Sequence, residues 1–542
     1  MPFPSWLDQA VFYQIYPPSF YDTNGDGIGD LPGIIAKLDY LQDLGVTALW
    51  LNPCFVSPFQ DGGYDVSDYY RVAPRYGTND DLRRLFAEAG RRGIRVLLDL
   101  VPGHTSIEHP WFVESARHER NQYSDWYIWT DSVWTPPVPG LSMVRGYAER
   151  NGCYVTNFFF CQPALNYGFA DPDPAQPWQQ PVDAPGPRAV REEMKRIMKF
   201  WLDQGAAGFR VDMAGSLVKG DPSGRETGRF WREIRAWLDE EYPEACLVSE
   251  WSCPTVALAA GFHMDFMLHF GMAGYNALFR KESGSGLGCD PYGWSFFHRL
   301  GHGNIREFLD PYLEQYARTK ELGFIAIPSG NHDIHPRLGK GRDEDDLAVV
   351  FLFLLTMPGP PFIYYGDEIG LRGVEGLPSK EGGYGRTEVR TPMQWDGGPN
   401  AGFSAAPAER LYLPVEPGPQ RPNVADQARR AGSLLDRVRR LIDLRKSHPA
   451  LWASGGFAPV HAVAGDPLFA YRRWSRDEDL LIALNPAGRP AETVLPPGLS
   501  AVPPAALYGP EDVFTAGEGG AWRLRLPGVS GGVYRVYPSG GR

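Results

Sequence analysis

Several residues able to act as acids, bases or nucleophiles lie at or shortly after the ends of short apolar runs of the sequence. They are Asp99, His104, Arg210, Asp212, Glu250, His332 and Asp333. Each one taken singly is as well explained by a salt bridge or a helix cap, but burying this many charged groups is costly unless they share a task. Paired carboxylates suit cleavage of a glycosidic bond, because one can protonate the leaving oxygen while the other attacks the anomeric carbon. An enzyme that retains the anomeric configuration holds the two carboxyl groups about 5–5.5 Å apart.

The apolar runs that precede these residues are predicted strands. They cover residues 11–16, 48–51, 94–100, 208–211, 246–249, 264–270, 324–327 and 361–365, and they are nearly continuous in apolar character, as strands buried on both faces must be. Between them, residues 31–45, 188–205 and 230–242 have the spacing of amphipathic helices. This alternation predicts an α/β fold, a closed (β/α)8 TIM barrel whose active site lies at the carboxyl ends of the strands. Adjacent strand ends are compatible with the spacing that a retaining pair of carboxylates needs.

A doubly wound open sheet is the alternative fold. The first predicted strand is followed by Asn24-Gly-Asp-Gly-Ile-Gly, which differs from the fingerprint of a dinucleotide-binding turn. The barrel is therefore favoured over the open sheet.

Two stretches do not follow the barrel pattern. From about residue 102 to residue 187 the sequence is rich in Pro, Trp and Asn, which is too long for a strand-to-helix loop. After residue 453, short alternating segments stand between Gly and Pro turns, a pattern typical of a small antiparallel β-domain. We therefore predict a barrel from residues 1–104 and 175–452, an inserted domain from 105–174 after strand three, and a C-terminal β-sandwich from 453–542.

With these motifs in place, the chain closely resembles the α-amylase superfamily of glycoside hydrolases. The four central motifs of that family are matched by residues 99–104, 208–212, Glu250 and 331–333. Supporting motifs are matched by residues 10–17, 63–68, 162–166 and 361–368. The resemblance covers essentially the whole chain, and it implies the same fold: a barrel with an inserted domain after strand three and a C-terminal β-domain.

The resemblance also implies a role for each matched residue. Asp212 would be the nucleophile, Glu250 the general acid/base, and Asp333 a residue that binds sugar hydroxyls and stabilises the transition state. Arg210 would hold Asp212 ionised and oriented. The remaining substrate contacts would be hydrogen bonds from His104 and His332 and stacking by Tyr64.

Within the superfamily, the chain is most similar to the branch of α-glucosidases, oligo-1,6-glucosidases and trehalose synthases. The similarity rests on residues 61–64, 390–395 and 400–403. In those relatives an Asp and an Arg close the pocket beyond the non-reducing end of the substrate. Asp61 matches the Asp, and we expect Arg390 to be its partner.

The expected function is retaining, exo-acting hydrolysis of short α-glucosides through a covalent glucosyl-enzyme. The alternative is a trehalose synthase-like isomerase or transglucosylase that uses the same carboxylates with a sugar as acceptor. A non-catalytic binding protein is disfavoured because the chain retains Asp212, Glu250 and Asp333. Met213 matches neither linkage class of the family, so the linkage preference stays open. Trp251 is equally explained as part of the leaving-group site or as core.

A loop near the N-terminus has oxygen ligands at alternate positions. Its candidate ligands are the side chains of Asp22, Asn24, Asp26 and Asp30 and the carbonyl oxygen of Ile28. The spacing resembles the first half of a calcium-binding loop, and this branch of the family carries a structural Ca²⁺, sometimes Mg²⁺, there. The alternative is a tight turn in which Asp30 caps the following helix. We expect no metal between the barrel and the inserted domain, where Gly103 and Ala164 replace the family's Asn and Asp.

Composition sets further limits. The chain of 542 residues has a formal net charge of −12, which argues against nucleic acid and anionic membranes as partners. The first residues lack the pattern of a secretory signal, and the six cysteines have no close-paired spacing. We therefore expect a cytoplasmic enzyme with reduced thiols and no organic cofactor. Its partner would be a small α-glucoside, and its oligomeric state is open.

Overall fold

The computed structural model describes residues 3–272, 274–282 and 292–537 of the chain. Cys289, one of the thiols predicted to be reduced, lies outside these residues. Eight parallel strands form the central sheet, and we number them barrel strands 1 to 8 in chain order. They are Phe12–Ile15, Ala48–Leu51, Arg95–Leu100, Gly208–Val211, Cys246–Ser249, Met264–Phe266, Phe324–Ala326 and Phe362–Tyr364.

The order of these strands in the sheet is 7-6-5-4-3-2-1-8. A parallel bridge between Pro328 and Phe362 joins the two edges, so the sheet closes on itself. The interior is filled by rings: the Phe12 and Phe362 rings stack at 4.2 Å, and Phe266 meets Phe362 edge-on at 4.7 Å. The predicted TIM barrel is confirmed, because strands buried on both faces leave an unbroken apolar trace in the sequence.

Helices alternate with the strands and pack around the barrel. The longer ones are Asn79–Arg91, Pro185–Asp203, Arg225–Glu241, Arg306–Thr319, Glu344–Thr356 and Leu434–Ser447. The single helix predicted over 31–45 is two helices, Leu31–Ala36 and Leu38–Leu44. The backbone leaves helical geometry at Lys37, whose ammonium lies 4.0 Å from the centre of the Tyr21 ring. Gly45 ends the second helix in the left-handed conformation, at φ 96°.

The segment between barrel strand 3 and the helix Pro185–Asp203 lies over the strand ends. It contains the short helix Pro110–Ser115 and an antiparallel pair of strands, Ser142–Arg145 and Cys153–Thr156. It has an apolar cluster of its own that includes Ile128, Val155 and Trp178. Backbone bridges from His104 to Ala164 and from Phe169 to Lys219 join it to the barrel. The predicted insertion after strand three is therefore present, while its bounds of 105 and 174 stay predictions.

The C-terminal part is a pair of antiparallel sheets. In spatial order, the larger sheet contains Gly456–Ala462, Phe469–Trp474, Asp479–Asn485, Ser530–Arg535 and Ala505–Tyr508. The smaller sheet contains Ala491–Leu495, Trp522–Leu526 and Phe514–Ala516. Leu481 from the larger sheet and Leu524 from the smaller one share one apolar core, as the layers of a β-sandwich do.

In the part of the chain that the structure describes, no helix has both the length and the apolar character needed to cross a bilayer.

Candidate active site

A cavity of about 650 Å³ opens at the carboxyl ends of the barrel strands. Its floor carries Asp212 directly after barrel strand 4, Glu250 directly after barrel strand 5, and Asp333 in the segment that follows barrel strand 7. The three carboxylates that the sequence singled out as catalytic are therefore brought to one place. The volume of the cavity is in the range found for sites that bind small molecules.

One guanidinium organises the two carboxylates of the expected catalytic pair. Arg210 Nη1 lies 2.9 Å from Asp212 Oδ1, and Arg210 Nη2 lies 2.7 Å from Glu250 Oε1. Nη1 also donates to Asp99 Oδ1 at 2.8 Å. Arg210 is fully buried, so these contacts between opposite charges act in a medium where they are strong. The two carboxylates are thus fixed on two nitrogens of one rigid group.

The protonation of the pair follows from burial and from that arginine. Burial raises the pKa of Asp212 to about 7, against the opposing effect of Arg210. Burial raises the pKa of Glu250 to about 8, again against Arg210, and the neighbouring Asp212 adds to the rise. The group with the lower pKa is the one expected to attack as an anion, and the group with the higher pKa is the one expected to donate a proton.

The turn after Glu250 is held by a carboxylate that the sequence analysis missed. Asp265, in the middle of barrel strand 6, accepts hydrogen bonds from the N–H of Trp251 at 3.1 Å and of Cys253 at 2.8 Å. It also accepts one from the hydroxyl of Ser249 at 2.6 Å. Both neighbours of Glu250 in the chain are therefore tied to one buried carboxylate. The only sequence signal for this role is an acid inside an otherwise apolar strand.

Asp333 is in contact with two arginines and a histidine. Its Oδ1 lies 2.8 Å from Arg386 Nη1 and 3.0 Å from Arg390 Nη2, and its Oδ2 lies 3.0 Å from His332 Nε2. Burial alone would raise the pKa of Asp333, but His332 and the two arginines hold it well below its ordinary value. Asp333 is therefore expected to be ionised at neutral pH.

The arginine partner of Asp61 differs from the one predicted. We expected Arg390, but the guanidinium in contact with Asp61 is that of Arg386, whose Nη2 lies 3.2 Å from Asp61 Oδ1. Arg390 lies behind it, fully buried, and donates to the carbonyl oxygen of His332 at 3.0 Å. Arg386 precedes the motif of residues 390–395 by four positions, so a search confined to that motif does not reach it. Gln162 holds the other oxygen of Asp61 at 2.8 Å, and burial raises the pKa of Asp61 to about 6.

Tyr64 and His104 line the same end of the cavity. The hydroxyl of Tyr64 donates to Asp99 Oδ2 at 2.8 Å, and its ring stacks on that of His332 at 5.2 Å. His104 Nε2 lies 3.1 Å from the carbonyl oxygen of Tyr64, and burial lowers the pKa of His104 to about 3. His104 is therefore neutral. We call Asp61, Tyr64, His104, Asp333 and Arg386 the polar end of the cavity.

The rest of the wall is mostly apolar. It is lined by Phe158, Phe159, Met213, Trp251, Phe270 and Tyr384, which we call the aromatic rim. Trp251, which the sequence left undecided, lines the cavity. The other four rings were missed, because isolated aromatic residues in loops carry no periodic signal.

Where the barrel meets the inserted segment, the side-chain amide of Asn157 and the ammonium of Lys219 lie in contact. A side chain at Gly103 would place its Cβ 2.5 Å from Asn157 Nδ2. The amide of Asn157 lies 3.2 Å from His104 Nδ1 and accepts a hydrogen bond from Lys219 at 2.9 Å. Burial lowers the pKa of Lys219 to about 8. Position 103, where the family usually has an Asn, thus borders on protein side chains.

The loop of residues 22–30 is held by hydrogen bonds to its own backbone. Asp22 Oδ1 accepts from the N–H groups of Asn24 and Gly25, and Asp30 Oδ1 accepts from Gly33 N as the cap of the helix Leu31–Ala36. In the described residues, no group of three or more His, Cys, Asp or Glu side chains is positioned to hold a metal ion. A metal here would draw on the amide of Asn24 and the carbonyl of Ile28 besides carboxylates. All are oxygen donors of the kind that Ca²⁺ and Mg²⁺ prefer.

Comparison with known proteins identifies the family. The model of the alpha-amylase catalytic domain matches residues 14–454. The chain belongs to the alpha-amylase family. Members act on glycosides, so the chain is an enzyme of that class, in agreement with the carboxylates found at the ends of barrel strands 4 and 5.

A trehalose synthase and an oligo-1,6-glucosidase, both of the branch that the sequence indicated, are among the similar proteins. The chain is 34% identical over 499 residues to trehalose synthase/amylase TreS of Mycolicibacterium smegmatis, covering 84% of this chain and 78% of that protein. It is 33% identical over 546 residues to oligo-1,6-glucosidase of Parageobacillus thermoglucosidasius, covering 89% and 90%. A crystal structure of an isomaltulose synthase variant from Erwinia rhapontici NX5 with sucrose superposes with a TM-score of 0.78 at 26% identity, covering 99% and 100%. The chain is thus similar both to a glucosidase and to proteins named as synthases of trehalose and isomaltulose.

Proposed function

We propose that the protein cleaves α-glucosides at their non-reducing end with retention of configuration, through a glucosyl group bound to Asp212. The observation that carries this proposal is the shared contact of Asp212 and Glu250 with Arg210. It holds a nucleophile and an acid side by side at adjacent strand ends.

The reaction has two steps. First, a carboxylate oxygen of Asp212 bonds to the anomeric carbon while the bond from that carbon to the leaving oxygen breaks, and Glu250 gives its proton to the leaving oxygen. Second, an acceptor hydroxyl oxygen bonds to the anomeric carbon as the bond to Asp212 breaks, and the acceptor proton passes to Glu250. Two displacements restore the α configuration.

The polar end explains why the proposed action is confined to chain ends. Asp61 and Arg386 are joined by an ion pair at 3.2 Å, and Arg386 is joined to Asp333 at 2.8 Å. These groups would close the cavity beyond the place where the reacting sugar binds. A terminal glucosyl unit fits such a site, whereas the interior of a long chain does not.

A sugar acceptor in place of water is the second candidate. Two similar proteins are named trehalose synthase/amylase and isomaltulose synthase, and the synthesis of a disaccharide requires a sugar as the acceptor. The proposed covalent step is common to both outcomes. What differs is whether the leaving sugar stays in the cavity long enough to attack.

Product analysis separates the two candidates. The purified enzyme would be incubated separately with maltose, isomaltose, sucrose, trehalose and kojibiose. Free glucose as the first product supports hydrolysis, and a new α-linked disaccharide that precedes free glucose supports transfer. The absence of both with every one of these sugars would contradict an α-glucoside-processing function on disaccharides.

We also propose that the loop of residues 22–30 binds one structural Ca²⁺, with Mg²⁺ as the alternative ion. Asp22, Asn24, Asp26 and Asp30 would supply side-chain oxygens and Ile28 its carbonyl oxygen. The alternation of oxygen donors with glycines supports this proposal. The bound ion would stabilise the loop and take no part in the chemistry.

A further inference from the structure

The backbone directly after Glu250 makes a turn whose N–H groups converge on one carboxylate. The three consecutive residues 251–253 donate their N–H groups to Asp265, at 3.1, 3.3 and 2.8 Å in chain order. Consecutive N–H groups that converge in this way form a binding place for an anion. The residue before Glu250 adds a fourth donor, since the hydroxyl of Ser249 lies 2.6 Å from Asp265 Oδ1. Asp265 is therefore bonded to the chain on both sides of the expected acid.

The turn has a backbone conformation that needs support from its surroundings. Ser252 has a positive φ of 55°, in the left-handed region that non-glycine residues rarely occupy. Its hydroxyl donates to the carbonyl oxygen of Phe270 at 2.6 Å and accepts a hydrogen bond from the N–H of Leu268 at 3.2 Å. Both partners lie in the segment that follows barrel strand 6, the strand that carries Asp265. The turn is thus joined to this part of the chain at the carboxylate and again at the hydroxyl.

A carboxylate inside a barrel costs free energy unless its charge is compensated. Asp265 is fully buried, and burial raises its pKa to about 7, while the four donors around it oppose that rise. An apolar side chain at this position would avoid the cost of burying a charge, but it would leave the N–H groups of the turn without this acceptor. The carboxylate therefore determines the shape of the backbone from which Glu250 projects.

The carboxyl group of Glu250 is placed from both ends of its side chain. At the far end, Oε1 lies 2.7 Å from Arg210 Nη2, and Oε2 accepts a hydrogen bond from the N–H of Met213 at 3.0 Å. At the near end, its position follows from the turn that Asp265 holds. An acid must lie within about 2.6–3.2 Å of the oxygen that it protonates, and a displacement of about 1 Å can lower a rate about 100-fold. A disturbed turn should therefore impair proton donation more than it impairs binding of the sugar.

We propose that Asp265 is a positioning residue for Glu250, which acts through the turn of residues 251–253 and controls delivery of the proton to the leaving oxygen. This inference rests on the proposed function, since it concerns the acid of the same reaction. Asp265 does not line the cavity, so its effect reaches the substrate only through the backbone that carries Glu250. The loss caused by removing it should therefore depend on how much the leaving group needs a proton.

The test compares two substrates that share the glucosyl unit and differ in that need. When a disaccharide is cleaved, Glu250 gives its proton to the leaving oxygen. When α-glucosyl fluoride reacts, the bond from carbon to fluorine breaks, fluoride leaves as an anion with the electron pair, and Glu250 keeps its proton. The values of kcat/KM cover the steps up to departure of the leaving group. Their ratio for the two substrates measures the contribution of the acid and does not depend on the fraction of enzyme that is folded.

Asp265→Asn is the variant to measure. Asn keeps the size of the side chain but replaces one acceptor oxygen by an NH₂ group, which would face the N–H donors of the turn. We expect kcat/KM for the disaccharide that the parent cleaves fastest to fall about 10- to 100-fold, and the value for α-glucosyl fluoride to change less than about threefold. Equal losses on both substrates, or no loss on either, would overturn the inference.

Asp65→Asn is the matched control at the polar end of the cavity. Asp65 is also fully buried, and it accepts a hydrogen bond from the hydroxyl of Ser57 at 2.9 Å and from the N–H groups of Gln60 and Asp61 at 2.8 and 3.1 Å. It therefore holds the turn that carries Asp61, which would bind the glucosyl unit common to both substrates. Asp65→Asn should lower kcat/KM for both substrates by factors that agree within about threefold. A selective loss on the disaccharide here as well would contradict a role specific to Asp265.

Ser249→Ala gives the same comparison if Asp265→Asn does not fold. It removes one donor and leaves the buried carboxylate in place, so kcat/KM for the disaccharide should fall about two- to fivefold while the value for the fluoride stays unchanged. Equal changes on both substrates, or none, would again overturn the inference. The parent enzyme separates this failure from failure of the proposed function. Release of fluoride by the parent without a selective loss in the variants overturns the positioning role alone, whereas no release of fluoride by the parent contradicts the proposed attack by Asp212.

Discussion

The polar end and the aromatic rim of the cavity are built differently, although they enclose one reaction. Asp61, Tyr64 and His104 at the polar end are buried and bonded to neighbouring protein atoms. Phe158 and Tyr384 at the rim come from the inserted segment and from the loop after barrel strand 8, and they stand open to solvent. A rigid set of hydrogen bonds can recognise one sugar, while exposed rings on loops can change from one relative to another without disturbing the chemistry.

The largest expected effect is at the carboxylates between the two regions. Asp212→Asn and Glu250→Gln should each lower kcat on isomaltose and maltose alike, on the order of 10³-fold or more. Both substitutions keep the size of the side chain, so circular dichroism and melting temperature should show an intact fold. Turnover near that of the parent in either purified variant would contradict the catalytic role assigned to the substituted residue.

A smaller effect is expected at the polar end of the cavity, where substitutions can distinguish the role of Arg386 from that of Arg390. Arg386→Ala should raise KM for every α-glucoside by about ten- to a hundredfold, because the pair with Asp61 is lost, and Asp61→Ala should do the same. Arg390→Ala should chiefly lower the melting temperature, since it removes a fully buried guanidinium bonded to Asp333 and to the backbone. The reverse pattern would return the pocket-closing role to Arg390.

The pH dependence of kcat/KM tests which member of the carboxylate pair is the nucleophile and which is the acid. The working form has Asp212 ionised and Glu250 protonated, so kcat/KM should rise as pH approaches the Asp212 pKa of about 7 and fall as it passes the Glu250 pKa of about 8. Glu250→Gln should abolish the falling limb of its residual activity. A parent profile that stays flat from about pH 5 to pH 9 would contradict this division of roles.

The smallest effect on catalysis is expected at the loop of residues 22–30, which belongs to neither region. Removing divalent ions with a chelator should lower the melting temperature by several degrees, and adding Ca²⁺ should restore it, because an ion bound only to the folded state stabilises it. The ratio of activity on isomaltose to that on maltose should not change. Asp26→Ala should remove the chelator effect. An unchanged melting temperature in the parent would refute the metal proposal.

The parts of the molecule that the sequence predicted are those with a strong local signal. The barrel strands are buried runs, and Asp212, Glu250 and Asp333 follow such runs within matched motifs. Asp265 and Arg386 were missed because their roles depend on which segments meet in space: one lies inside a strand and the other in a loop outside the matched motif. The rings of the rim, such as Phe270, give no pattern until the fold gathers them around one cavity.

The central claim is that Asp212 and Glu250 act in two successive displacements at a terminal α-glucosyl unit. The most direct test is proton NMR of the first product released from fresh isomaltose or maltose, recorded before the sugar equilibrates between its anomers. The account predicts α-glucose, or an α-linked transfer product, as the first signal to appear. β-Glucose as the first product would mean a single displacement and would contradict the roles given to both carboxylates.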